Sequence, residues 1–153
     1  MAKKATVQEG QLLLQLYDLR REAEMRKARN WWLVEFWPHS ADDFMKIVNA
    51  FPSQENNWLR QVGGYWDIAA SLVLQGALHE ELFLQPGCCG EMFFIFAKVQ
   101  PFLKDLRDKM GNPDAWKNIE RVATGSKLAR KRLALVSANV EKRRKQIAKA
   151  AKA

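Results

Sequence analysis

The sequence predicts an all-α protein: a helical bundle of about five packed helices, with a long N-terminal helix and a basic C-terminal helix extending from it. Three observations carry this. Apolar residues recur at spacings of three and four, and no stretch alternates apolar with polar in the manner of a strand. Helix stop and start signals punctuate the chain at Pro38, Gly76, Gly111 and Asn112-Pro113-Asp114. With 153 residues, 48% hydrophobic and 27% charged, the chain is long enough to bury a core without a metal or a disulfide framework.

The first helix is expected over about residues 6–36, closed by Pro38. Its ends are apolar (Leu12, Leu13, Leu16 and Leu19, then WWLVEFW) and its middle, DLRREAEMRKARN, is mostly charged. Thirty residues at ~1.5 Å each span ~45 Å, longer than the body needs, so one end is expected to project. Ser40, with Asp43 three residues on, reads as the cap of a short helix over 41–50. Ser53 caps the next, about 54–75, whose apolar stripe includes Trp58, Leu59, Val62 and Trp66. Gly63 and Gly64 interrupt it, which suggests close helix approach or a ring packed over bare backbone. Gly76 ends it in a left-handed cap. A short helical turn at 78–84 leads into QPGCCG, read as a loop. A fourth helix follows over about 90–110, opening with MFFIFAKV and kinked at Pro101, and Gly111 closes it. Asn112-Pro113-Asp114 restarts a fifth helix that runs to about 124.

Charge divides the chain into two units: a helical bundle domain, residues 1–125, and a basic helical tail, residues 126–153. Of the 25 Lys and Arg, ten lie in 127–153, beside a single acid, Glu141. The remainder is near neutral, so any argument for an anionic partner belongs to the tail. Its candidate binding residues are Lys127, Arg130, Lys131, Arg132, Lys142, Arg143, Arg144 and Lys145. They suit nucleic-acid phosphates, an acidic partner or plain solubilisation. A membrane surface fits less well, because the tail lacks Trp and Phe.

Other chemistries are thinly represented. Two histidines, His39 and His79, stand forty residues apart without ligand spacing, so no metal or other cofactor is expected. No phosphate-binding glycine loop and no nucleophile elbow occurs, and no enzymatic activity is expected. Cys88-Cys89 allow a strained vicinal disulfide or an activated thiolate, against the plainer reading of two small buried residues. Asp67, between Trp66 and Ile68, is expected to be partly buried and bonded to Arg60 or a Trp; a ligand-sensing reading would need a pocket around it. Two cysteines, no apolar run of ~18 residues and no signal peptide lead to a cytoplasmic expectation.

The segments WDIAASLVLQGALHEELF (66–83) and PFLKDLRDKMGNPDAWKNIERVA (101–123) resemble the domain-of-unknown-function family 4760, small bacterial helical domains. The resemblance runs over about residues 25–124. It rests on Trp66-Asp67, Gly76, Glu80-Glu81, Arg107, Asn112-Pro113 and Trp116. It implies a helical fold and a bacterial origin, and it supplies no activity and no catalytic residues. Some relatives carry a membrane helix before the domain, where this chain has the short patch Leu12–Leu19. Cys88-Cys89 and the basic tail lie outside the family's pattern.

The sequence therefore leads to a non-enzymatic interaction or assembly module. It is expected to be a homo-oligomer or the subunit of an unknown protein partner, joined through the first helix and Trp31, Trp32 and Trp37. Nucleic-acid binding through the tail is the second reading.

Overall fold

The computed structural model describes residues 4–152; the outer limits of the two expected units, residues 1–3 and 153, lie outside the described residues. Nine α-helices order those residues, with no strand among them. They are α1 (Val7–Leu19), α2 (Ala23–Asn30), α3 (Ala41–Asn49), α4 (Gln54–Leu74), α5 (Glu80–Phe83), α6 (Pro86–Val99), α7 (Leu103–Met110), α8 (Lys117–Gly125) and α9 (Lys127–Ala150). A π turn, Trp31–Glu35, extends α2, and a 3-10 turn, Gln100–Phe102, joins α6 to α7.

The expected long first helix is broken. Glu22 lies in the charged run that reads as helix interior, yet it leaves helical geometry and caps α2, its carboxylate accepting the Met25 N–H at 2.8 Å. The break is held from outside: Arg20 Nη1 donates to the Cys88 carbonyl at 3.2 Å, and Arg29 Nη1 donates to the Arg20 carbonyl at 3.4 Å. Arg20 N and Arg21 N keep local turn bonds, to the Tyr17 and Asp18 carbonyls at 3.2 and 2.9 Å, while the Arg20 carbonyl takes its donor from the Arg29 side chain.

Several local signals elsewhere are met. Ser40 Oγ accepts from Asp43 N, and Ser53 Oγ accepts from Asn56 N. Gly76 (φ 73°) and Gly111 (φ 59°) close their helices in the left-handed region, where a Cβ is strained. Pro101 divides the expected fourth helix into α6 and α7. QPGCCG is not a loop: Pro86 takes the first position of α6, where its missing N–H costs nothing, and both cysteines lie in the helix. Asn112 does not cap the helix: its Oδ1 accepts Asp114 N at 3.0 Å in a local turn, and the helix begins only at Lys117, with Trp116 at the cap position. Trp116 intervenes with φ 63°.

The core is built around α6, buried on nearly every side from Cys89 to Val99. Helices α8 and α9 pack on it, and α4 packs on α2, α3 and α8. Trp32, Trp66, Phe83, Phe93 and Phe96 are fully buried. Each such ring removes ~150–250 Å² from water, the largest contribution per residue to stability. Helix α9 docks through Ala129, Leu133 and Val140. Arg144 lies on the same side of α9, and its guanidinium donates to the Pro38 carbonyl at 2.6 Å and the Lys98 carbonyl at 2.8 Å.

Candidate interaction surfaces and an apolar groove

The tail residues divide by role. Arg130 Nη1 donates to the Thr124 and Gly125 carbonyls at 2.9 and 3.3 Å, closing the end of α8. Arg132 Nη1 donates to Cys89 Sγ at 3.4 Å, and Arg144 binds the carbonyls named above. These three hold the fold. Lys127, Lys131, Lys142, Arg143 and Lys145 are exposed, and no ion pair among the described residues engages them. At 100° per residue, Lys127, Lys131, Lys142, Lys145 and Lys149 fall on one side of α9, opposite Ala129, Leu133 and Val140. The helix spans ~36 Å, so this is a long, narrow cationic ridge on the outside of the bundle.

The three tryptophans expected to meet a second chain are placed otherwise. Trp31 and Trp32 are buried. The i→i+5 geometry of the π turn, seen in Phe36 N donating to the Trp31 carbonyl at 2.9 Å, brings Trp31, Trp32 and Phe36 together on the inner side. Trp31 stacks on Phe36 at 4.4 Å, and Trp32 meets Phe36 and Trp116 edge-on at 5.1 and 5.9 Å. Trp37 is half-buried, its Nε1 donating to the Val34 carbonyl and its ring edge-on to Phe94 at 5.7 Å. Trp31 and Trp32 therefore leave almost none of their surface exposed.

Lys98 is the residue that sequence reasoning passed over. Its side chain is wholly buried, and Nζ donates to the Trp32 and Phe36 carbonyls at 2.5 and 2.8 Å. The π turn leaves those carbonyls without helical donors. Nζ also lies 3.7 Å from the Trp37 ring centroid and 4.8 Å from that of Phe94. Burial pulls the ammonium down to about 7, and the neighbouring Arg144 charge acts in the same direction. The amine ties α6 to the π turn. Its signal in the sequence was a single charge inside MFFIFAKV.

Both cysteines are free thiols. Cys89 is buried, its Sγ 3.5 Å from the Gln85 carbonyl; burial raises its thiol to about 11 against the smaller opposing effect of Arg132. Burial also raises the Cys88 thiol, with Arg20 and Arg132 opposing it. Neither is an activated thiolate at neutral pH. Among the described residues no group of three or more His, Cys, Asp or Glu side chains is placed to hold a metal ion. Glu91 is nearly buried between helices, accepting from Arg29 Nε at 2.6 Å and Trp66 Nε1 at 2.9 Å.

Asp67 is half-buried, as expected, but its partner is Asn118 Nδ2 at 3.2 Å and not Arg60. Arg60 is engaged by Asn56 Oδ1 and Asn57 Oδ1 at 3.0 and 2.7 Å and lies over the Phe51 ring. A groove of about 600 Å³ opens between α3, α4 and the segment 110–119. Gly63 and Gly64 line it, and a Cβ on either would meet no atom within 4 Å. Close packing therefore does not account for the pair, which costs roughly 1 kcal/mol per glycine in helix propensity.

No helix among the described residues is long and apolar enough to cross a membrane. No curated protein and no solved structure matches the chain significantly. The family model "Domain of unknown function (DUF4760)" matches residues 5–126, which takes in α1 through α8 and stops where the basic helix begins. The chain therefore belongs to the DUF4760 family.

Proposed function

We propose that this chain is a non-enzymatic helical interaction module that self-associates through α1. One observation carries the reading: α1 packs on the body yet keeps large apolar residues exposed. Its inner side holds Leu13 and Leu16 against the body, where Tyr65 Oη donates to the Leu16 carbonyl at 2.5 Å. Val7, Leu14 and Tyr17 remain 76%, 68% and 51% exposed, Leu14 and Tyr17 also lining a small cavity with Leu13, Leu16, Tyr65 and Trp66. Spacings of seven and three align Val7, Leu14 and Tyr17 along one stripe with Gly10 between, a form suited to a second helix of the same kind. The family match begins at residue 5 and so includes this helix. The two free thiols suit a reducing compartment, and our reading is of a cytoplasmic, bacterial module.

Sedimentation equilibrium tests the reading. The full chain is expected to associate at micromolar concentration, and Leu14→Glu, at a position 68% exposed, is expected to leave a folded monomer. A monomer at every concentration in the unaltered chain refutes it.

The lysine ridge of α9 supports a second reading, binding of nucleic-acid phosphates or another polyanion. Changing Lys127, Lys131, Lys142 and Lys145 to Gln should then flatten the dependence of log affinity on log salt by roughly 0.9 per lost phosphate contact on duplex DNA. Equal affinity and equal salt slope for both proteins would eliminate it.

A further inference from the structure

The groove beside α4 has features that internal packing leaves unexplained. Asn56, Arg60, Gly63 and Asp67 recur at four, three and four along α4 and form its floor. At the centre, Gly63 leaves bare backbone where a side chain would have room. Phe44, Leu59, Met110 and Ile119 supply apolar walls, within the volume range of small-molecule sites. Trp116 forms part of the wall from a left-handed backbone (φ 63°), a strained setting for a bulky residue; its ring is braced edge-on by Phe44 and Trp32 at 6.1 and 5.9 Å. The charges differ in their partners. Arg60 has donors engaged by Asn56 and Asn57. Asp67 accepts one bond from the neutral Asn118 amide, and no ion pair among the described residues neutralises its carboxylate. Two helical turns, ~10 Å, separate the two positions.

We infer that this groove is a binding site for a small organic cation: an apolar or aromatic body lying over Gly63 against Trp116, with a protonated amine on the Asp67 carboxylate. The apolar walls exclude water from the body, and a charge-assisted bond to Asp67 selects the amine. The site is independent of α1 and of the lysine ridge.

The test is a two-dimensional ¹H–¹⁵N NMR titration of the full chain with 4-phenylbutylamine, followed at the Gly63 and Gly64 amides and the Trp116 indole N–H. 4-Phenylbutyrate and 4-phenylbutanol serve as the anionic and neutral comparisons. The amine should give saturable shifts at these three groups, with the carboxylate at least about tenfold weaker. Asp67→Asn should remove the preference for the amine while the neutral alcohol binds as before. Gly63→Leu, whose side chain has open space to fill, should melt no lower than the unaltered chain and lose binding of all three probes. Should Gly63→Leu fail to fold, the Asp67→Asn comparison decides the matter. Shifts that do not saturate, equal binding of amine and carboxylate, or a Gly63→Leu protein that still binds would each overturn the inference.

Discussion

Replacing Lys98 should change how stability depends on pH more than any other single substitution in the molecule. Its ammonium is wholly buried and held at about 7, against an ordinary 10.5. Between those values the unfolded chain binds a proton that the folded chain does not, so stability rises with pH across the window. Below about 7 both states carry the proton, and the whole cost of burying the charge is present. At ~1.4 kcal/mol per unit the rise is bounded by roughly 5 kcal/mol, a large part of a typical domain's stability. Tyr65 and Cys89, raised by burial to about 12 and about 11, act in the opposite direction above their unfolded values. They are present in both proteins and cancel in a difference. The assay is urea unfolding of the unaltered chain and of Lys98→Met at intervals from pH 6 to 10. The stability difference between them should widen by several kcal/mol as pH rises. At pH 6 the variant should still be the less stable, because the Trp32 and Phe36 carbonyls lose their donor at ~1–3 kcal/mol each. Lys98→Gln, which retains an N–H donor, should share the flattened pH profile. Parallel profiles for the variants and the unaltered chain would refute the assignment of a depressed lysine.

Glu91→Leu should destabilise by about 3–5 kcal/mol in thermal or urea unfolding, because the half-buried Arg29 guanidinium and the Trp66 N–H lose their acceptor. Gly64→Ala should stabilise by up to ~1 kcal/mol, since a Cβ there meets nothing within 4 Å; a lower melting temperature would show that the glycine is needed by the fold. Iodoacetamide at pH 7.5 should alkylate Cys88 and Cys89 far more slowly in the native protein than in urea, as expected for thiols raised by burial. Rapid native alkylation of either thiol would contradict that placement.

The features legible in the sequence were those decided within a few residues. Ser40, Ser53 and Gly111 close or open helices through neighbours three or four positions away, and Pro101 breaks the ladder wherever it sits. The break at residues 20–22 was not legible, because Arg20 is held by a carbonyl 68 positions later. Lys98 was hidden for the same reason: its acceptors lie 66 and 62 positions earlier, on a π turn that no local pattern announced. The tryptophans of WWLVEFW cover several faces of an ideal helix, which suggested rings left over for a partner. The π turn rewinds that helix and takes Trp31 and Trp32 inside. Of the groove, Asp67 and the glycine pair were visible as anomalies. Their common outlook was not, since it depends on how residues 110–119 pass across α4.

Self-association through the outer stripe of α1 is tested most directly by a distance between copies. A nitroxide placed at Asp18, exposed beside the stripe, in a Cys88→Ser, Cys89→Ser background, reports it by pulsed dipolar spectroscopy. Helices packed ~8–10 Å apart along Val7, Leu14 and Tyr17 place the two labels within about 25 Å, whether the pair runs parallel or antiparallel. A distance in that range, lost in Leu14→Glu, is the expected result. A fully associated sample with no dipolar coupling would place the contact elsewhere and contradict the account.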